Sequence, residues 1–148
     1  GVDARFEDTV LPYKPDWCLF SLAGNDANHE IPEEEYAAKL RRFATRVHEH
    51  SGSQVLFFGL SEPGPDYPEE KLARLEQRRR YYACMDRLAG ELGHVHYADL
   101  GPSMAEKARL LKAQCEMHTI YGDNGHLNLI GHTMLAGEIL RVFGLLQA

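Results

Sequence analysis

Three short, almost continuous apolar runs recur along the chain, and each is followed by a polar, glycine-containing segment. Runs of this length without alternation are typical of parallel strands that are covered on both faces. They predict strands at Asp16–Gly24, Gln54–Leu60 and His94–Leu100.

Around these strands, apolar residues recur every three or four positions, which is the spacing of one helix face. The pattern predicts helices over Asp3–Leu11, Pro32–His50, Pro68–Leu92, Ser103–Cys115 and Leu129–Leu146. The second of these has acidic residues in its first turn and basic residues after it, which suits the helix dipole. We expect its buried face to comprise Tyr36, Leu40, Phe43 and Val47.

The resulting order, α-β-α-β-α-β-α-α, predicts an α/β fold with right-handed crossovers and a parallel sheet. Three strands make a thin sheet, since the average sheet has about five or six. We therefore expect residues 1–148 to form a single domain that is incomplete at its N-terminus.

Charge and composition narrow the choice of partners. The chain carries 16 Lys and Arg against 22 Asp and Glu, a formal net charge of −6. This balance argues against a nucleic-acid partner, which usually meets a basic face. No apolar run approaches the roughly 20 residues of a membrane span, so we expect no membrane-spanning segment.

The three cysteines, an odd number, exclude a fully paired disulfide framework. Free thiols mildly favour the cytoplasm, but a leader peptide could have been lost with the N-terminus, so the compartment stays undetermined. We expect Cys18, which lies in the first apolar run, to be buried.

Candidate chemistry follows the first strand and precedes the last helix. Asp123 and His126 lie three residues apart between glycines, so the carboxylate can accept a hydrogen bond from the imidazole and leave its other nitrogen as a general base. Asn25 follows a strand and a glycine, where its amide can serve as an oxyanion donor. Taken singly, each motif also fits a plain turn with a capping Asx residue.

Together, Gly24-Asn25-Asp26 and, about a hundred residues later, Asp-x-x-His followed by Asn128 resemble the SGNH (GDSL-type) hydrolase family. The resemblance implies a three-layer α/β/α, flavodoxin-like fold. It also implies hydrolysis of a small ester or acylated substrate by a Ser-His-Asp triad, with no metal or organic cofactor. His126 and Asp123 would belong to that triad, and Asn25 and Gly1 would form the oxyanion hole.

Two features of the sequence depart from the family pattern. Ala23 stands where the family usually has glycine, and the chain contains no Gly-Asp-Ser, the motif of the family's nucleophile. We expect the serine, with the first two strands of the sheet, to lie outside this chain. The strand at Asp16–Gly24 would then leave an apolar edge available for self-association.

Three alternatives to this interpretation remain. In the first, the chain is an inactive family descendant that serves as a binding module. In the second, it is an α/β binding domain whose motifs are coincidental, and in the third it is an enzyme with an internal nucleophile. Ser61 is the internal candidate, because it follows the second strand. His94 and His96, two residues apart, are a weaker candidate pair for a metal.

Overall fold

A computed structural model describes residues 6–21, 23–122 and 125–146 of the chain. Its strands are β1 (Trp17–Phe20), β2 (Gln54–Gly59) and β3 (Val95–Asp99). The helices are α1 (Phe6–Thr9), α2 (Gly24–Asn28), α3 (Glu33–Ser51), α4 (Leu72–Glu91), α5 (Gly101–Gln114) and α6 (Leu129–Val142), with 3₁₀ turns at Leu11–Tyr13 and Glu69–Lys71.

The strands form one parallel sheet in the order β1-β2-β3. Trp17 pairs with Gln54 and Phe20 with Phe57. The α/β class predicted from the alternating runs is confirmed. The three-layer arrangement, the single domain and the absent first two strands stay predictions.

The contacts divide the chain into two compact units. The first unit comprises Gly1–Phe58 and Arg78–Ala98, and the second comprises Gly59–Gln77 and Asp99–Ala148. Most of the sheet belongs to the first unit, whereas α5, α6 and the segment between them belong to the second.

The first unit has an aromatic core between the sheet and α3. The rings of Phe6 and Phe43 lie 5.2 Å apart, and Phe20 packs against both Phe43 and Phe57. All four residues predicted for the buried face of α3 are buried. On α4, Tyr81 is fully buried and its ring lies 4.3 Å from that of Tyr36.

In the second unit, a buried carboxylate joins α5 to α6. Glu138 is 7% exposed and accepts hydrogen bonds from Lys107 and from Arg141. On the same helix, Ile130 and Val142 are 41% and 46% exposed. Over the described residues, no helix combines the length and apolar character needed to span a membrane.

Candidate active site

The segment after β1 differs from the loop expected there. The strand ends at Phe20 instead of continuing to Gly24, and Gly24 begins the short helix α2. The backbone N–H of Ala27 donates to the carbonyl of Ala23 at 2.9 Å, and that of His29 donates to the carbonyl of Asn25 at 3.0 Å. The Asn25 side chain is exposed, so its amide is accessible to a ligand.

The same segment is anchored to α4 by a buried tyrosine. The hydroxyl of Tyr81 donates to the carbonyl of Ile31 at 2.5 Å, and the carbonyl of Asp26 lies 3.4 Å away. A buried hydroxyl that bonds to two backbone positions restricts the movement of the chain between them. Asn25 is therefore held on an ordered turn of the first unit.

His126 lies in the second unit on a narrow β-turn structure that precedes α6. The Gly122 N–H donates to the His126 carbonyl at 2.8 Å, and Tyr121 and Leu127 form an antiparallel bridge. Gly125 has a φ of 75°, a left-handed conformation that suits glycine. We call residues 119–122 and 125–128 the His126 hairpin. The His126 side chain is exposed.

The segment Gly64–Pro68 packs against this hairpin. The Gly64 N–H donates to the hydroxyl oxygen of Tyr121 at 2.8 Å, and the rings of Tyr67 and Tyr121 lie 5.6 Å apart. A Cβ placed on Gly125 would lie 3.2 Å from Tyr67. Burial raises the pKa of the Tyr121 hydroxyl, so this phenol is neutral and can accept the Gly64 bond at physiological pH.

Ser61, the internal nucleophile candidate, is bonded to a carboxylate. Its hydroxyl donates to Asp99 Oδ2, and its backbone N–H donates to Asp99 Oδ1 at 3.2 Å. Asp99 Oδ1 also accepts the N–H of Gly101 at 3.0 Å. Asp99 thus joins the segment after β2 to the end of β3 and the start of α5, and Ser61 contributes two of these bonds.

The two histidines considered as metal ligands have separate surroundings. The ring of His94 stacks on that of His48, with centroids 4.0 Å apart, whereas His96 Nε2 lies 3.0 Å from the Gln54 side-chain oxygen. Within residues 6–21, 23–122 and 125–146, no three His, Cys, Asp or Glu side chains are grouped to hold a metal ion.

The predicted site residues are thus distributed over two units. Asn25 lies in the first unit and His126 in the second, while Asp123 and Gly1 lie outside the described residues. Convergence of the four stays a prediction. Sequence reasoning named Asn128 only as part of the family motif, without its capping bond, and it missed Tyr121. An Asn directly before an apolar helix is a recognisable N-cap signal, but nothing local in the sequence indicates the contact of Tyr121 with Gly64.

Comparison with solved structures supports the fold. A catalytic mutant of Axe2, an acetylxylan esterase from Geobacillus stearothermophilus, matches with a TM-score of 0.70 and 21% identity over 95% of this chain and 64% of that chain. LAE5, an α/β hydrolase enzyme from the metagenome of Lake Arreo, Spain, matches with a TM-score of 0.75 and 22% identity over 99% of this chain and 68% of that chain. The chain therefore spans about two thirds of these proteins.

A search among curated proteins found no match. A family model, by contrast, covers residues 1–134, nearly the whole chain, and describes GDSL-like lipases and acylhydrolases. The family inferred from the Asn25 and His126 motifs is thereby confirmed. The chain belongs to the GDSL-like lipase/acylhydrolase family.

Proposed function

We propose that this chain is part of a serine ester hydrolase that acts on a small ester or an acylated substrate. The observation that carries the proposal is the hairpin of His126, which presents an exposed imidazole on a hydrogen-bonded turn in a chain of this family. An ordered, accessible imidazole is what general base catalysis requires.

In the proposed mechanism, His126 removes the proton from a serine hydroxyl as its oxygen attacks the ester carbonyl. His126 then gives this proton to the leaving alcohol, and water releases the acyl group by the same steps in reverse. Asp123 orients the imidazole and stabilises its charged form. Asn25 and Gly1 donate hydrogen bonds to the tetrahedral oxyanion. These steps use only side chains and backbone groups.

The proposal places the serine outside the 148 residues. Two observations support this placement: the sequence contains no Gly-Asp-Ser, and the chain spans 64% of the first acetylxylan esterase that it matches. Ser61, the candidate inside the chain, donates to the Asp99 carboxylate.

The test is hydrolysis of p-nitrophenyl acetate by this chain and by the longer reading frame that contains it. We expect background rates from the chain alone and turnover from the longer protein. In the longer protein, His126→Gln should lower kcat by about a thousandfold or more, because the proton acceptor is lost. His132→Gln, at an exposed histidine on α6, is the matched control and should retain activity.

Either of two results would overturn parts of this proposal. Turnover by the 148-residue chain that disappears in Ser61→Ala would place the nucleophile inside it. Full activity of the His126→Gln variant would remove the triad from the mechanism.

A second candidate function, a non-catalytic binding module, rests on the edge of the sheet. Within the described part of the chain, β1 pairs only with β2, and its residues Trp17 and Leu19 are 37% and 42% exposed. A strand with one open edge and exposed apolar residues is suited to pairing with a second chain. This candidate predicts association of the chain with itself in the absence of any ester turnover.

A further inference from the structure

One side chain connects the His126 hairpin to the closing helix. Asn128 is the N-cap of α6, and its Oδ1 accepts the backbone N–H of Gly131 at 3.0 Å. This single bond is all that helix capping requires of an Asn side chain.

The amide nitrogen of Asn128 makes further bonds that capping does not need. Nδ2 donates to the carbonyl of Thr119 at 2.8 Å and to the carbonyl of Tyr121 at 3.2 Å. Both carbonyls belong to the other arm of the hairpin. The backbone N–H of Asn128 also donates across to that arm, to the carbonyl of Ile120 at 2.9 Å.

These bonds lie close to the imidazole along the chain. His126 is two residues before Asn128, and its carbonyl accepts the N–H of Gly122, the residue after Tyr121. Asn128 therefore fixes the base of the hairpin, and the Gly122 bond joins the two arms at His126. If the base opens, the closing bond at His126 loses its alignment.

The start of α6 leaves little room for adjustment at this joint. A Cβ on Gly131 would lie 2.4 Å from the carbonyl oxygen of Ile120 and 2.9 Å from Leu127. The helix and the hairpin thus approach closely at the residue that Asn128 caps, so the cap and the amide bonds meet in one tightly packed joint.

We propose that Asn128 is a positioning residue for His126, acting through the two carbonyl bonds of its amide and not through its role as a helix cap. The inference rests on the proposed function, because the position of the imidazole affects catalysis only if His126 accepts a proton from a serine. A displacement of about 1 Å in a reacting group can lower a rate about a hundredfold.

The experiment compares N128S and N128A in the 148-residue chain by NMR. Serine is also a good N-cap but has no amide to reach the two carbonyls, whereas alanine loses both functions. We expect both variants to shift the imidazole ¹⁵N resonances of His126 and to accelerate amide exchange of Gly122 by about tenfold, the equivalent of about 1.4 kcal/mol. Only N128A should also accelerate exchange of the Gly131 amide.

Thr133→Ala is the matched control, since it removes another side-chain bond of α6, from Thr133 Oγ1 to the carbonyl of Leu129. It should leave the His126 resonances unchanged. If N128S leaves His126 and Gly122 as in the parent chain, Asn128 is a cap only and the inference is wrong. Should N128A fail to fold, N128S against the parent decides the question alone.

The longer protein supplies a readout in catalysis. There N128S should lower kcat by about tenfold or more with little change in KM, because substrate contacts are retained while the imidazole is displaced. If the proposed function itself is wrong, the result will be different: the His126→Gln variant of the longer protein will keep its turnover. The NMR response to N128S does not depend on that outcome.

Discussion

Ala23 has a backbone conformation that belongs to glycine. Its φ is 130°, and its side chain is 1% exposed. A non-glycine residue with such a φ is strained by about 1–3 kcal/mol. Ala23→Gly should therefore raise the free energy of unfolding by about 0.5–2 kcal/mol, after the entropic cost of glycine is subtracted. Urea denaturation of the two proteins measures the difference.

Ala27, four residues later, is the control for this substitution. It is also buried, but it lies within α2 and has no positive φ. Ala27→Gly should lower the free energy of unfolding, because it removes buried surface and adds backbone freedom without relieving strain. If Ala23→Gly destabilises the chain as much as Ala27→Gly does, the strain at Ala23 is not significant.

At the scale of residues, local motifs were enough to propose His126 and Asn25 as site residues, and their roles stay predictions. The conformation of Ala23 was not predictable, since φ depends on how the end of β1 meets α2. The amide bonds of Asn128 were also missed, because they depend on where the carbonyls of Thr119 and Tyr121 lie in space.

At the scale of elements, two histidines join the end of α3 to the start of β3. The His94 ring stacks on that of His48 with an angle of 10° between their planes, and His94 Nε2 is buried without a hydrogen-bond partner among the described residues. His48 Nδ1 lies 2.9 Å from the Ser53 carbonyl. Burial, and then the neighbouring His48, lower the pKa of His94.

This arrangement predicts a loss of stability in mild acid. The unfolded chain binds a proton at His94 near pH 6.5, whereas the folded chain binds it only at lower pH. Stability from this group is therefore complete above about pH 6.5 and falls as pH decreases toward the folded pKa. In His94→Phe, the midpoint of urea denaturation should change less between about pH 7 and 5 than it does in the parent chain.

His50 provides the comparison for this pH dependence. Its side chain is exposed at the end of α3. His50→Gln should keep the parent pH profile. An unchanged profile in His94→Phe would show that the stacked pair does not contribute to acid sensitivity.

The elements themselves were predictable where one face is buried over many residues. The apolar spacing of α3 gave both its extent and its buried face within one or two residues. The first strand was predicted too long, because the apolar run Asp16–Gly24 continues past the sheet into α2.

At the scale of the whole molecule, the outer edge of β1 is where we expect a second chain to pair. We expect concentration-dependent self-association, because exposed Trp17 and Leu19 lie on a strand with one unpaired edge among the described residues. Leu19→Lys should shift the chain to monomer in sedimentation velocity, since a lysine on an edge opposes pairing.

Leu110→Lys is the control for added charge. Leu110 is 57% exposed and lies on helix α5, not on a strand, so its replacement should leave association unchanged. A native chain that sediments as monomer at every concentration would contradict self-association through this edge.

Alkylation of the cysteines can report whether the first unit unfolds. Cys18 and Cys84 are buried in the first unit, and burial raises the pKa of both thiols, whereas Cys115 is half-buried in the second. Because thiolate is the reactive form, alkylation of the first two must wait until the core of the first unit opens. The number of alkyl groups on a molecule therefore records whether its first unit has ever opened.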